Sequence, residues 1–300
     1  MDEESFEDGT VDCCGLLRLL CRLFCPPCPA RIAAKIAFNP PPSTYNFTRG
    51  IHGYSLTLTE NAGWQLSKEE SNAIYVYYAE TKTKNMIACA YINCNPDAKY
   101  TVLFSHSNAM DLGESIRFCI HLHFKTYRCC NFFVYDYSGY GVSTGWPSPK
   151  NICDDIDAAF HTMFRFGVDK KNVILLGLSI GSVPSIDLAS KHDVGGLVLV
   201  APLASGINTL FPSITRIWRC DPFPNLVRVK KVTCRVLLVH GYDDEIIPIA
   251  HSERILKALK KNKVQVMPLF VPGADHTSVA AMHQFYDGFF TFINFEFTQL

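Results

Sequence analysis

Apolar positions recur along this chain with two different periods. "YSLTLT" (54–59), "AIYVYYAE" (73–80) and "MIACAYIN" (86–93) alternate in the way of antiparallel strands. From "YTVLFSH" (100–106) onward the strands become continuous apolar runs: "NFFVYDY" (131–137), "NVILLGLS" (172–179), "GLVLVAPL" (196–203), "RVLLVHG" (235–241) and "VQVMPLFV" (264–271). Runs of that kind are buried on both faces, as in parallel sheets. Helix-period stretches separate them near 111–127, 150–166, 180–192, 251–261 and 280–297. This order is βαβ repetition on a mainly parallel sheet with helices on both faces, which puts active residues at the carboxyl ends of the strands. Between "VAPLA" and "CRVLLVHG" lie about thirty residues with no long helix. Any lid there is minimal.

One strand end carries a chemical signature. "VILLGLSIGSVPS" runs from an apolar strand into Gly177-Leu178-Ser179-Ile180-Gly181 and then into a helix pattern. A nucleophile elbow requires that setting, because a strained strand-to-helix turn exposes the serine hydroxyl beside helix amides. The chain spells G-x-S-x-G a second time, at Gly141 to Gly145, but there Pro147 and Pro149 stand where a helix should start. Ser143 is therefore read as a turn residue and Ser179 as the nucleophile of an α/β-hydrolase fold.

A serine hydroxyl needs a histidine base, and the histidine needs a carboxylate to fix its tautomer. In this fold the chain order is serine, acid, histidine. "RVLLVHGYDDEIIP" offers Asp244, four residues past His240, with Asp243 the alternative; "MPLFVPGADHTS" offers His276, with His283 the nearby rival. The oxyanion donors are expected to be the backbone N–H of Ile180 and, from the turn after "TVLFSH", that of Asn108.

Composition narrows the partners and the compartment. With 300 residues, 48% hydrophobic content and zero formal net charge, the chain has enough for one large core and lacks the basic footprint of a nucleic-acid binder. Thirteen cysteines are an odd number, five of them crowded near the start. Residues 1–12 carry six acids and no base, so no secretory signal is read there. Reduced cytosolic thiols are expected, and the sequon Asn46-Phe47-Thr48 is expected to be unused.

The motifs "FSHSNAMDLG", "YDYSGYGVSTG", "LLGLSIGS", "CDPFPN", "HGYDDEIIP" and "VPGADHTS", preceded by "LFCPPCPARIAAKIAF", resemble the α/β-hydrolase domain-containing 17 family of membrane-anchored depalmitoylases. The resemblance runs from about Cys21 to near the end and carries the family's triad onto Ser179, Asp244 and His276. It departs at Ser107 and Asp275, where the family commonly has glycine, and at Leu178, where it has glutamine. Asp275 adds a carboxylate beside His276, which is expected to favour the imidazolium and weaken the base.

Residues 1–45 form a cysteine-rich segment, and 46–300 are expected to form the hydrolase domain. In "CCGLLRLLCRLFCPPCPARIAAKIAF" the apolar run is too broken to span a bilayer, and Asp2 excludes myristoylation. Cys25 and Cys28 have zinc spacing but lack a second ligand pair, and no thioredoxin-like strand supports a redox reading. Thiols on a basic apolar segment suit S-palmitoylation at Cys13, Cys14, Cys21, Cys25 and Cys28, the modification that the resemblance also implies. The acidic leader before them is expected to stay in solvent.

The expected protein is a serine hydrolase that needs no metal or other cofactor. It would remove palmitoyl groups from S-acylated membrane proteins at the cytoplasmic face of the plasma membrane or endosomes, after its own acylation by palmitoyltransferases. The alternatives are a lipid or small-ester hydrolase with the same triad, and a tethered, inactive binding protein.

Overall fold

The continuous apolar runs form the parallel centre of one ten-stranded sheet. The computed structural model describes residues 37–51, 53–127, 129–210 and 221–294. The strands are β1 (Tyr45–Gly50), β2 (Gly53–Leu58), β3 (Ile74–Glu80), β4 (Met86–Ile92), β5 (Tyr100–Ser105), β6 (Cys130–Tyr135), β7 (Val173–Leu178), β8 (Gly196–Val200), β9 (Val236–Gly241) and β10 (Val266–Val271). Their order is β1-β2-β3-β4-β6-β5-β7-β8-β9-β10. The alternating segments β1 to β4 pair antiparallel, β4 joins β6 antiparallel, and β5 to β10 are mutually parallel. β5 is flanked by β6 on one side and β7 on the other. Sheet growth reverses there, and such a switch point opens a crevice at the strands' carboxyl ends.

Within each central strand, successive side chains enter opposite layers. Leu103, Phe133, Leu175, Leu197 and Leu238 pack with α3 (Asn151–Met163), α4 (Ser182–Ala189) and α7 (Ala250–Lys261). Val102, Phe132, Ile174, Val198 and Leu237 pack with α2 (Leu112–Lys125) and α8 (His283–Asn294). Burying each such side chain contributes about 1.5–3 kcal/mol, so both layers hold the sheet rigid. Pro268 is tolerated in β10 because that strand is at the sheet edge, where one ladder of hydrogen bonds is not required. The fold is that of an α/β-hydrolase, as the pattern implied.

The first described residues pack against the sheet and its loops. Phe38 is buried edge-on against Phe223, with ring centroids 6.0 Å apart, and Tyr45 is fully buried at the start of β1. Thr44 donates its N–H, at 2.6 Å, and its hydroxyl to Asp111. Residues 37–45 therefore pack on the domain. β1 escaped the sequence reading because only Tyr45 of its six residues is buried. The short α1 (Lys68–Ala73) escaped because no residue in it is buried, and its start depends on a capping box between Ser67 and Glu70.

In the expected lid region stand two short helices, α5 (Gly206–Leu210) and α6 (Asn225–Arg228). Residues 211–220 are outside the description, as are Cys13, Cys14, Cys21, Cys25 and Cys28. Among the described residues the cysteines are free thiols, and no helix is long and apolar enough to cross a membrane.

Candidate active site

Ser179 follows β7 with φ +53°, a left-handed conformation that costs a non-glycine residue about 1–3 kcal/mol. The turn is held by close backbone approach. A Cβ on Gly181 would lie 2.0 Å from the Ser105 carbonyl oxygen at the end of β5, and one on Gly177 would lie 2.5 Å from the Gly181 carbonyl oxygen. Both glycines of the motif are thus required by space, and the elbow is wedged against its neighbouring strand. α4 begins immediately after, with Pro184 in its first turn, where the missing N–H removes no helical bond.

His276 follows β10 and reaches back to the elbow, its Nε2 lying 2.9 Å from Ser179 Oγ. Its Nδ1 lies 2.7 Å from Asp244 Oδ2. A carboxylate only accepts, so Nδ1 carries the proton and Nε2 accepts from the serine hydroxyl. Asp244, in the turn after β9, is buried, and its Oδ1 accepts the N–H groups of Ile246 at 3.0 Å and Ile247 at 2.7 Å. Burial by itself would raise this carboxyl. Hydrogen bonds from His240, His276 and the Ile247 N–H outweigh it and hold Asp244 well below the usual carboxylate range.

In the sequence His240 marks only the end of a strand. It is fully buried at the end of β9, with Nδ1 2.7 Å from Ser252 Oγ and Nε2 2.8 Å from the Ile247 carbonyl oxygen. A carbonyl only accepts, so Nε2 carries the proton, and it also faces Asp244 Oδ2 at 3.2 Å. Asp244 is therefore gripped from two sides. No local motif announces this, since His240 and Ser252 meet only after β9 and α7 have packed.

The weighed alternatives fall elsewhere. Asp243 is exposed, and its N–H donates to the Ala274 carbonyl. His283 opens α8 as an exposed residue. Ser143 Oγ accepts the Ala88 N–H at 2.9 Å and serves the edge of β4. Asn108 N–H takes no protein acceptor among the described residues. Its side-chain Oδ1 accepts the Tyr140 hydroxyl at 2.6 Å and the Asn39 N–H at 2.9 Å, which pins the turn after β5. Ile180 lies in the first turn of the elbow helix, where backbone N–H groups have no intrahelical partner. Two clefts of about 480 and 410 Å³ open from Ser179 and His276. A larger one of about 610 Å³ lies at the opposite ends of the strands and touches none of these groups.

Comparison with known proteins agrees with this architecture. Residues 96–222 match the model of the serine aminopeptidase S33 family, and residues 208–298 match the prolyl oligopeptidase family. The chain is 42% identical over 285 residues to alpha/beta hydrolase domain-containing protein 17B of Homo sapiens, covering 94% of this chain and 97% of the relative. The chain belongs to the α/β-hydrolase domain-containing 17 family. Its 17C relative from Mus musculus is 40% identical over 306 residues, covering 92% of this chain and 94% of the other. The fold is shared with a Pyrococcus furiosus esterase, at TM-score 0.60 and 16% identity, over 84% of this chain and 98% of that one.

Two of the departures from the usual 17-family motifs now have a physical description. Ser107 keeps a backbone conformation open to any residue, so this turn does not need glycine. The Asp275 carboxylate is turned into its own loop, where Oδ1 accepts from the N–H and hydroxyl groups of Thr277 and Ser278. Those bonds, the Ser278 N–H first, lower its pKa. The carboxylate caps a turn and makes no ion pair with the His276 ring.

Proposed function

We propose that this protein is a serine thioesterase that removes fatty acyl groups from the cysteines of membrane proteins at the cytosolic face. One observation carries the reading: Ser179, His276 and Asp244 lie in one chain of hydrogen bonds, 2.9 and 2.7 Å long, beside an apolar cleft. In the first half-reaction Ser179 Oγ attacks the thioester carbonyl while His276 Nε2 takes its proton. Charge gathers on the carbonyl oxygen, where the N–H groups of Ile180 and Asn108 stabilise it; each such donor is worth about 3–4 kcal/mol when tested by removal. The C–S bond then breaks, and the proton passes from His276 to the departing sulfur. A thiol of pKa about 8.5 leaves with little acid assistance. Water, deprotonated by His276, cleaves the Ser179 ester, releasing the fatty acid and restoring the hydroxyl. Asp244 stabilises the imidazolium in both halves.

The family motifs support the substrate class, and the cysteine-rich start supports the location. Acylation of Cys13, Cys14, Cys21, Cys25 and Cys28 by palmitoyltransferases would hold enzyme and substrate on one surface. A fluorophosphonate probe tests the serine chemistry independently of substrate. The reading expects stoichiometric label on Ser179, found by peptide mapping, and none in Ser179→Ala. Label on Ser143, or no label on the folded protein, would remove the nucleophile from this account.

A further inference from the structure

The two clefts beside Ser179 are not alike. They share Ser107, Ser179, His276 and Thr277, so they are two arms of one groove with the reacting atoms at the junction. The arm of about 410 Å³ is walled by Ile180, Leu203, Phe223, Ile246 and Ile247. The arm of about 480 Å³ runs along α2 and mixes the polar side chains of Glu114, Arg117 and His121 with Phe118, Leu178 and Tyr286, so it is the more polar of the two. A thioester substrate also has two arms, a hydrocarbon chain and a peptide, and they differ in polarity in the same way.

Three observations orient the substrate. The apolar arm is lined by both proposed oxyanion donors, Asn108 and Ile180, so an acyl carbonyl held by them starts its chain there. Its rim carries Ile246, 61% exposed and hence available to touch hydrocarbon. Its mouth is also where the N-terminal segment joins the domain: Ala37 lines this arm, and Phe38 packs on Phe223. On the proposed acylation of cysteines before residue 37, this mouth is where the anchored segment would meet the domain.

We propose that the arm between Ile180, Leu203, Phe223 and Ile247 takes the fatty acyl chain and that the α2 arm takes the cysteine-bearing peptide. The assignment rests on the thioesterase reading and makes the walls of the apolar arm the determinants of acyl length. The peptide then lies on the polar side, over Arg117 and Glu114, whose side chains sit 3.7 Å apart.

The test measures kcat/KM of the full chain on S-acetyl, S-octanoyl and S-palmitoyl forms of one short cysteine peptide in mixed micelles. Ala109→Trp and Thr209→Trp narrow the apolar arm from two different elements, and Ala281→Trp narrows the α2 arm. Circular dichroism and melting temperature report that each variant is folded, and acetyl turnover supplies the denominator of the ratio. The palmitoyl-to-acetyl ratio is expected to fall roughly ten-fold or more in the first two, since excluding even two methylenes from an apolar site has that effect. In Ala281→Trp the ratio should hold. A fall confined to Ala281→Trp would assign the chain to the α2 arm, and an unchanged ratio in all three would place it in neither. If the unaltered protein cleaves oxygen esters but no S-acyl peptide, the thioesterase reading fails instead, and the same ratios on oxygen esters still decide between the arms.

Discussion

Ser179 occupies a backbone conformation that a serine would not adopt in isolation, and the flanking glycines explain why it persists. Gly181 lets the elbow touch the β5 carbonyls, and that contact fixes the serine's direction. His276 then needs only a partner that holds its Nδ1–H, which Asp244 supplies at 2.7 Å. Asp244→Asn should lower kcat by roughly 10⁴-fold, because an amide holds the ring in the wrong tautomer and cannot stabilise the imidazolium. Asp243→Asn, at an exposed position, should change kcat little. Steady-state kinetics on one soluble ester compares them, and the reverse order of severity would move the acid. These residues were legible because each falls at a strand end in the order the chemistry requires. The grip of His240 on Asp244 was not legible, since it depends on the distance between side chains of β9 and α7. Nor was the turning of Asp275 into its own loop, which depends on the hydroxyls of Thr277 and Ser278.

At the scale of elements, the site depends on loops fastened by buried polar groups. Asp155 in α3 is buried, and it accepts the Ser138 N–H at 2.8 Å and hydroxyl at 2.7 Å, tying the helix to the turn after β6. Burial pushes its carboxyl up to about 7, against the lowering by Ser138. The folded state therefore holds this proton at pH values where the unfolded chain, with an ordinary pKa of about 3.9, has lost it. Between those values the native state binds more protons, so stability from this group is full below about pH 4 and is lost as pH rises through about 7. Asp155→Asn should remove that dependence. Melting temperatures from pH 4 to 8 should fall less in the variant than in the unaltered protein, and parallel curves would show that the carboxyl stays ionised in the fold. Such fastenings join residues far apart in the chain, so periodicity revealed the strands and helices they join but not the bonds themselves. Periodicity also overlooked β1, whose exposed face left too few buried positions to register.

For the whole molecule, the proposed function assigns chemistry and location to different parts of the chain. The parallel sheet and its two layers lie within the described residues, whereas Cys13, Cys14, Cys21, Cys25 and Cys28 precede them. Replacing these five cysteines with serine should release the protein from cell membranes and abolish hydroxylamine-sensitive acyl label. Turnover of a soluble thioester should remain within about two-fold, while turnover of a vesicle-bound acylated peptide falls as the shared surface and its effective concentration are lost. A variant that stays on membranes without acyl label would assign the anchor to the basic apolar segment or to a partner. On the proposed function, Ser179 performs acyl transfer from sulfur. The most direct measurement is release of free palmitate from an S-palmitoyl cysteine peptide on vesicles, comparing the full chain with Ser179→Ala. Multiple turnovers by the unaltered protein and a loss of at least about 10³-fold in the variant are expected. Retained turnover in the variant, or an unaltered protein that accepts fluorophosphonate at Ser179 yet releases no palmitate, would rule this chemistry out.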